Sequence, residues 1–357
     1  MTESIGERVA ALIPARGQGK LADAIGMAPD ALSRALSGQR NFSSGELARI
    51  ADHYAADLHE LITGEPDPNR IVIAARHTYD RDTRERSVPT VEEDRRILQD
   101  VALAYHQGEP APSGALLSLS GVDEVRDRLG ADFVRPFVDR IEGALGIDVV
   151  RVKELSTAYS MTSGPYVVIA IPATGSWFWE NWSLAHELGH LVYGHHAGAG
   201  VVPKKHEQVA NAFAADLLMP REMIRGYDWS SMTESDLADL VWELGVSTQS
   251  LAIRLETLCI ASPAAERWRY EKTQRLLHRH WHRSGKSDEI TDRMRAASAR
   301  RFPRALEEAH QDRIAAGQLH KGTLAWMLGV DAEALEVDEP ERRELSSDDL
   351  AAALGIA

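Results

Sequence analysis

The run WSLAHELGH, residues 182–190, constrains the fold of this chain more than any other stretch. It contains H-E-x-x-H, and two histidines four residues apart reach one metal ion when the backbone between them is helical. A helix would place His186 and His190 on one face and Glu187 about 100° further round. From there the carboxylate can take a proton from a water at the metal without being a ligand. The motif therefore predicts a zinc-dependent hydrolase with Glu187 as general base.

The motif is short enough to occur by chance, and the alternative is an amphipathic helix with two histidines on its surface. Several neighbouring features favour the metal site. Ala185 and Gly189 are small, so another element could approach the helix closely. The apolar residues 166–171 predict a strand directly upstream, beside which a substrate could lie in extended form. An apolar stripe at helical spacing lies opposite the histidine pair and comprises Leu184, Leu188 and Leu191.

A catalytic zinc ion needs a third protein ligand, and two downstream residues compete for that role. His196 has the offset of the last histidine in H-E-x-x-H-x-x-G-x-x-H, but Tyr193 stands where that pattern has glycine. Glu207 is the other candidate, in the run HEQVANAFAADLLMP (206–220), which predicts a second helix. Taken alone, Glu207 fits an exposed position on an amphipathic helix equally well. Its place downstream of the first motif favours a ligand.

The second helix also carries residues suited to packing against the first. Ala210 and Ala214 flank Glu207 on one face and are small. Asn211 lies one turn after Glu207, where its side chain could hydrogen-bond the far nitrogen of a ligating histidine. The sequence does not assign the residue that polarises the substrate carbonyl. The candidates near the motif are Tyr193, His195, His196 and Tyr227.

HELGH followed by E-x-x-A-N-x-F-A-A-[ED]-L-L-M-P resembles the motifs of the ImmA/IrrE family of zinc metallopeptidases. The resemblance covers roughly residues 120–260 and includes the run VWELGVSTQSLAIRL (241–255). It implies Zn²⁺ held by His186, His190 and Glu207, with Glu187 as the base. The residues WENW (179–182), placed before the zinc helix, stand where the family often has Arg and Phe, which leaves the choice of substrate open. Family members cleave or inactivate a separate XRE-type repressor, and others lie in toxin–antitoxin operons.

Residues 1–64 predict about five short helices and no strand. Within them, residues 20–64 resemble the Cro/phage-repressor (XRE-type) helix-turn-helix. The resemblance implies that residues 29–37 form a recognition helix, which would enter a major groove of operator DNA. DNA-binding modules usually carry a basic surface, whereas residues 1–64 have a net charge of −2. A small helical bundle that contacts proteins is therefore the alternative. The side chains expected to contact DNA are Asp30, Ser33, Arg34, Ser37, Gln39 and Arg40.

The composition limits the remaining classes of protein. The single cysteine, Cys259, excludes a disulfide within the chain and a multi-cysteine zinc site, which fits a reducing cytoplasm. Apolar runs fall short of the roughly 20 residues that span a bilayer, and the first residues lack the pattern of a signal peptide, so no membrane partner is expected. The net charge of −14 argues against general affinity for nucleic acid but not against a local basic surface.

A chain of 357 residues should form two or three domains, and we expect a mainly α-helical protein with a small β-sheet, an α+β fold. Strands are predicted at 149–152 and 166–171 and a helix around 91–106. Residues 266–304 carry a net charge of +7; they could bind nucleic acid, an acidic partner or the acidic tail at 331–350, or form a solvated helix. The predicted regions are an XRE-type domain at 1–65, a connection at 66–119, a zincin-like peptidase domain at 120–260 and a helical region at 261–357.

These features together predict a cytoplasmic DNA-binding regulator fused to a zinc metallopeptidase. Its partners would be operator DNA and a regulatory protein, such as an XRE-type repressor, that it cleaves or inactivates. A homodimer is compatible with the sequence, and the peptidase could be latent. The alternative is an antitoxin or repressor of a toxin–antitoxin operon, whose peptidase-like domain binds a toxin.

Overall fold

The computed structural model describes residues 3–54, 56–65, 67, 71–75, 78–79, 86–87, 91–112, 119–195, 204–281 and 288–340. The chain divides into two compact units, Met1–Val72 and Ile73–Ala357. The prediction of a mainly α-helical protein with a small β-sheet is confirmed. Among the described residues, no helix combines the length and apolar character needed to cross a bilayer.

The first unit contains the predicted helices and, in its described residues up to 65, no strand. The helices are α1 (Ile5–Leu12), α2 (Gln18–Ala24), α3 (Pro29–Leu36), α4 (Ser44–Tyr54) and α5 (Leu58–Thr63). Pro29 opens α3, where its missing N–H leaves no hydrogen bond unmade. Gly26 has a φ of 65° in the turn between α2 and α3, a conformation that favours glycine. The fully buried centre of this unit comprises Val9, Leu21, Ala22, Leu32 and Ile50.

The main sheet has the strand order β1-β5-β6-β4. Its strands are β1 (Ile71–Ala75), β4 (Asp148–Val152), β5 (Tyr159–Ser163) and β6 (Tyr166–Pro172), and a separate pair is formed by β2 (Thr78–Tyr79) and β3 (Arg86–Ser87). β4 runs parallel to β6. β5 runs antiparallel to β6, and a tight turn at Gly164 and Pro165 joins the two strands. Both predicted strands are therefore confirmed, whereas β5 was missed.

Strand β6 does not have the free edge that a bound substrate would need. It is hydrogen-bonded to β4 on one side and to β5 on the other. The expectation that an extended substrate lies beside residues 166–171 is therefore wrong, because both rows of backbone groups are already paired within the sheet.

The second unit is otherwise helical. Its predicted helix around 91–106 is confirmed as α6, and a π-helical turn at Ile141–Leu145 follows a short helix. The helices are α6 (Val91–Gly108), α7 (Val122–Leu129), α8 (Phe137–Arg140), α9 (Trp177–Val192), α10 (Lys204–Leu218), α11 (Arg221–Arg225), α12 (Glu234–Leu244), α13 (Thr248–Thr257), α14 (Pro263–Trp268), α15 (Thr273–His280), α16 (Glu289–Ser298), α17 (Arg304–Ala315) and α18 (Gly322–Leu328).

Helix α9 lies at the centre of this unit, packed against β5, β6, α10 and α16. An ion pair ties it to β4, because Arg151 Nε and Nη2 donate to the two carboxylate oxygens of Glu180 at 2.9 and 2.6 Å. Both side chains are almost fully buried. Arg151 Nη1 also donates to the carbonyl of Ala296 in α16 at 3.1 Å. A forked pair of this kind fixes geometry, since removing either partner would leave a buried charge.

The described part of the basic segment 266–304 packs against the rest of the unit instead of standing free. Its two tryptophans, Trp268 and Trp281, are buried. Several of its arginines form ion pairs with carboxylates outside the segment, among them Arg269 with Glu256 at 2.6 Å and Arg301 with Glu142 at 2.5 Å. The positive charge of this segment is therefore largely neutralised inside its own unit.

Candidate metal centre

Helix α9 carries the first motif in a stretch, residues 183–191, that is buried on every side. His186, Glu187 and His190 each have no exposed surface. The helix begins at Trp177, so residues 179–182 belong to its first turns, and the prediction that they precede the helix is wrong. Aromatic residues in those turns bury the start of the helix, since Trp177 and Phe178 lie in the hydrophobic core. The alternative of a surface helix with two exposed histidines is excluded by this burial.

The second motif reaches the first through a close contact between α9 and α10. A Cβ atom at Gly189 would lie 3.0 Å from Cα of Ala210 and 3.1 Å from Cβ of Phe213. Only glycine fits that approach without displacing backbone. Ala210 is itself fully buried. The small residues at 189 and 210 therefore bring Glu207, one turn before Ala210, to the histidines of α9.

Three potential ligand atoms converge at this point, one each from His186, His190 and Glu207. The Nε2 atoms of the two histidines are 3.1 Å apart, and they lie 3.5 and 3.4 Å from the carboxylate oxygens of Glu207. Bonds of about 2.0–2.1 Å to a tetrahedral ion would separate its ligands by about 3.3 Å. The observed spacings therefore match three corners of such a coordination shell.

The far nitrogens of both histidines are occupied, which directs Nε2 toward the centre. His186 Nδ1 donates to Asn211 Oδ1 at 3.1 Å, the hydrogen bond expected from the sequence. His190 Nδ1 lies 3.0 Å from Nδ1 of His195, whose ring stacks on that of His206 at 4.0 Å. When each Nδ1 carries the proton, two Nε2 lone pairs and a carboxylate face one another, and a bound cation satisfies all three.

The electrostatic state of Glu207 fits this arrangement. Burial acts to raise the pKa of its carboxyl group, but hydrogen bonds from His186 and His190, when their Nε2 atoms carry protons, outweigh burial and hold that pKa well below its usual range. A cation in the place of those protons acts in the same direction. Glu207 is therefore ionised, as a ligand must be, and its Oε1 has no hydrogen-bond partner among the described residues.

Glu187 is held by one oxygen and leaves the other unoccupied. Ser160 Oγ, on β5, donates to Glu187 Oε2 at 2.7 Å. Glu187 Oε1 is buried and has no hydrogen-bond partner within the described part of the chain. A buried, unpaired carboxylate oxygen is costly, so this atom is suited to accept a proton from a water at the metal. The geometry can thus support hydrolysis assisted by a metal ion.

Strand β5 is in turn held from the side of α6. Tyr159, next to Ser160, donates its hydroxyl proton to Asp94 Oδ2 at 2.5 Å, and the backbone N–H of Ser156 donates to Asp94 Oδ1 at 2.9 Å. Burial, reinforced by the Asp94 carboxylate, raises the pKa of Tyr159 far above its usual value, so its hydroxyl stays a donor. Neither Asp94 nor Ser160 was predicted as part of the site.

The residues considered for carbonyl polarisation have other contacts. His195 lies behind His190, as described above. Tyr193 is 45% exposed and meets the ring of Phe213 edge-on. Tyr227 is likewise exposed and packs against Trp229. His196 lies outside the described residues.

The candidate DNA-contacting residues lie in and just after α3. Ser33, Ser37 and Gln39 are exposed. Asp30 and Arg34 are exposed too, but they form an ion pair at 3.5 Å along one face of the helix. Arg40 is only partly exposed and donates to Glu46 Oε1 at 2.6 Å, so it stabilises the unit itself. Of the two arginines, Arg34 is the one placed to meet an outside partner.

Comparison with known proteins gives one result for the second unit. Residues 143–256 match the family model described as Peptidase_M78, IrrE N-terminal-like domain. The matched segment contains all the residues of the centre on α9 and α10, together with Ser160. No curated protein and no solved structure matches the chain. The match supports a peptidase of the ImmA/IrrE kind over this segment and does not extend to the first unit.

Proposed function

We propose that this chain is a zinc-dependent endopeptidase that cleaves, and thereby inactivates, a partner regulatory protein such as an XRE-type repressor. The observation that carries the proposal is the convergence of His186, His190 and Glu207 beside a buried carboxylate, Glu187, with one free oxygen. The match to a peptidase family over the same segment supports peptide hydrolysis as the reaction.

The donor set favours zinc over other divalent ions. Two imidazole nitrogens and one carboxylate are a common protein set for catalytic zinc, whereas Mg²⁺ and Ca²⁺ prefer oxygen ligands. The spacing of the ligand atoms, 3.1–3.5 Å, fits the short bonds and tetrahedral angles of zinc. Three protein ligands also leave the fourth position available for chemistry.

Zinc bound there would act as a Lewis acid that activates water and polarises the peptide carbonyl. Glu187 Oε1 takes the proton from the attacking water as the new C–O bond forms. The same carboxyl group then delivers the proton to the amide nitrogen while the C–N bond breaks. Ser160 keeps the other oxygen of Glu187 in place throughout, so that the carboxylate does not have to reorient.

The proposal is tested by comparing the full chain with Glu187→Gln. The variant should bind as much zinc as the wild type and should not produce the new protein N-termini that the wild type produces in otherwise matched cells. Those N-termini identify the substrate, and purified substrate should be cut only by the wild type. A partner that binds both forms equally and is cut by neither would overturn the peptidase assignment and favour the toxin-binding alternative.

We further propose that the first unit binds operator DNA through α3. The exposure of Ser33, Arg34, Ser37 and Gln39 along and just after that helix supports this role. Arg34→Ala in the full chain should weaken binding to DNA fragments selected from a genomic pool by about 10-fold or more. Arg49→Ala, at an exposed arginine on α4, is the matched control. Equal binding by the two variants would contradict a recognition role for α3.

A further inference from the structure

A cavity of about 1030 Å³ opens between α9, α10, α13 and the start of α15. It belongs entirely to the second unit. Its volume is at the upper end of the range, about 300–1,000 Å³, that holds small-molecule ligands. Its lining includes Trp179, Trp182, Asn211, Ile253, Arg254 and Lys272.

This cavity is distinct from the place where a peptide bond would be cut. Neither Glu187 nor Ser160 lines it, and none of the three potential ligands does. Asn211 links the cavity to the centre, because it contacts Nδ1 of His186, the nitrogen that points away from Glu207. The cavity therefore lies behind the metal centre and does not extend the substrate site.

One side of the cavity is apolar and aromatic. Trp179 and Trp182 are only half-buried, although both belong to the central helix α9. Ile253 on α13 is 48% exposed. Large apolar side chains left accessible around a concave surface are typical of ligand sites and unusual elsewhere on a monomer.

The charge of the cavity is opposite to that of the chain. The chain has 54 acidic residues and a net charge of −14, yet no Asp or Glu is among the described residues that line the cavity. Arg254 and Lys272 contribute the positive charges. Arg254 is committed to Asp216 at 2.5 Å and to the Met219 carbonyl at 3.0 Å. Lys272 is exposed and has no ion pair within the described residues, so its ammonium group is available.

We propose that this cavity binds a small anionic molecule with a planar apolar body. The body would lie against Trp179 and Trp182, and the anionic group would be recognised by Lys272 with nearby hydroxyl and amide groups. Because Asn211 is shared with His186, a ligand at this site would sit one hydrogen bond from the metal centre.

The experiment uses the full chain and two fluorescent probes that share one ring system, anilinonaphthalene sulfonate and the uncharged N-phenylnaphthylamine. The sulfonate probe should bind one molecule per chain. Lys272→Glu should weaken that binding about 5- to 10-fold, because a nearby attraction becomes a repulsion. Lys153→Glu, at an exposed lysine outside the cavity, should leave it unchanged. The uncharged probe should respond equally little to both substitutions.

A second pair of variants tests the location without relying on charge. Ala212→Trp fills the cavity from α10 and should abolish binding of both probes, while Ala315→Trp, at an exposed helical alanine elsewhere, should not. Far-ultraviolet circular dichroism and zinc content verify that all four variants are folded. Equal effects of Lys272→Glu and Lys153→Glu on the sulfonate probe, or undiminished binding by Ala212→Trp, would overturn the proposal.

Discussion

Ser160 Oγ lies 2.7 Å from Glu187 Oε2 and donates a hydrogen bond to it, while Glu187 Oε1 has no partner among the described residues. The two residues come from different elements, β5 and α9, that are 27 positions apart in sequence. One oxygen of the carboxylate is thus fixed and the other is available. For the general-base role proposed for Glu187, a carboxylate held in this way would not have to reorient during the reaction.

Ser160→Ala should therefore lower kcat about 10- to 100-fold, since a buried hydrogen bond to a charged group is worth about 1.5–3 kcal/mol. KM should change little and zinc content not at all, because Ser160 touches neither ligand nor metal. Ser160→Thr retains the hydroxyl and should recover part of kcat. Initial rates on the substrate identified with the Glu187→Gln strain measure the effect. A change confined to KM would show that Ser160 acts on substrate binding instead.

The ligand set predicts a contrast between the two candidates for the third ligand. Glu207→Ala should lose stoichiometric zinc, because two histidines alone leave the ion under-coordinated, whereas His196→Ala should keep it. Wild-type protein should hold about one zinc per chain. Metal analysis after dialysis against a weak chelator measures the zinc content per chain of each variant. The opposite pattern, zinc lost from His196→Ala and kept by Glu207→Ala, would make His196 the third ligand.

Asn211→Ala should weaken zinc binding about 10- to 100-fold, the usual effect of removing the group that orients a ligating histidine. The physical reason is the 3.1 Å hydrogen bond from His186 Nδ1 to Asn211 Oδ1, which fixes both the ring and its tautomer. Gln208→Ala removes an exposed amide from the same helix and serves as the control. Competition with a metal-sensitive dye measures the zinc affinity. Equal affinities for the two variants would mean that the hydrogen bond does not orient the ligand.

Gly189→Ala should destabilise the protein by about 1–3 kcal/mol, even though alanine is the better helix former. The added Cβ would lie 3.0 Å from backbone of Ala210, so α10 must move away from α9. Gly143→Ala is the control, because a Cβ there meets nothing within 4 Å. Urea unfolding of both variants in the presence of a chelator measures the free energy of unfolding without a contribution from bound metal. Similar midpoints for both would contradict the close approach of the two helices.

The sequence was sufficient for those parts of the centre that follow from helical spacing. His186 and His190 one turn apart, and Glu207 with Asn211 one turn apart, define two helical faces without any tertiary information. The small residues Gly189 and Ala210 then indicated which faces meet. Local periodicity carries this information because each pair lies within one element.

Contacts between distant elements could not be found in this way. Strand β5 has the sequence YSMTS, whose hydroxyl groups are not typical of a buried strand. It is buried because it lies between β1 and β6 and packs against α9, and Glu187 accepts the hydrogen bond of its Ser160 hydroxyl. The inner position of β6 depends on β4 and β5 pairing on its two sides, which its own apolar run cannot specify. His195 lies near the centre in sequence, but only the turn after α9 places it against His190.

His310 gives the second unit a stability that depends on pH. Its ring is fully buried, Nε2 donates to the Ala104 carbonyl at 2.8 Å, and Nδ1 has no partner among the described residues. Burial lowers the pKa of this imidazole below its ordinary 6.5, although the hydrogen bond opposes the effect. The unfolded chain therefore takes up a proton near pH 6.5 that the folded protein resists. The corresponding stability is present above that pH and is lost as the pH falls below it.

His310→Gln keeps a donor for the Ala104 carbonyl but cannot be protonated, so its free energy of unfolding should fall less between pH 7.5 and 5.5 than that of the wild type. Urea titrations at both pH values measure the difference, and contributions from the metal centre cancel because both proteins share it. Identical pH dependences would show that His310 is protonated as easily in the folded protein as in the unfolded chain.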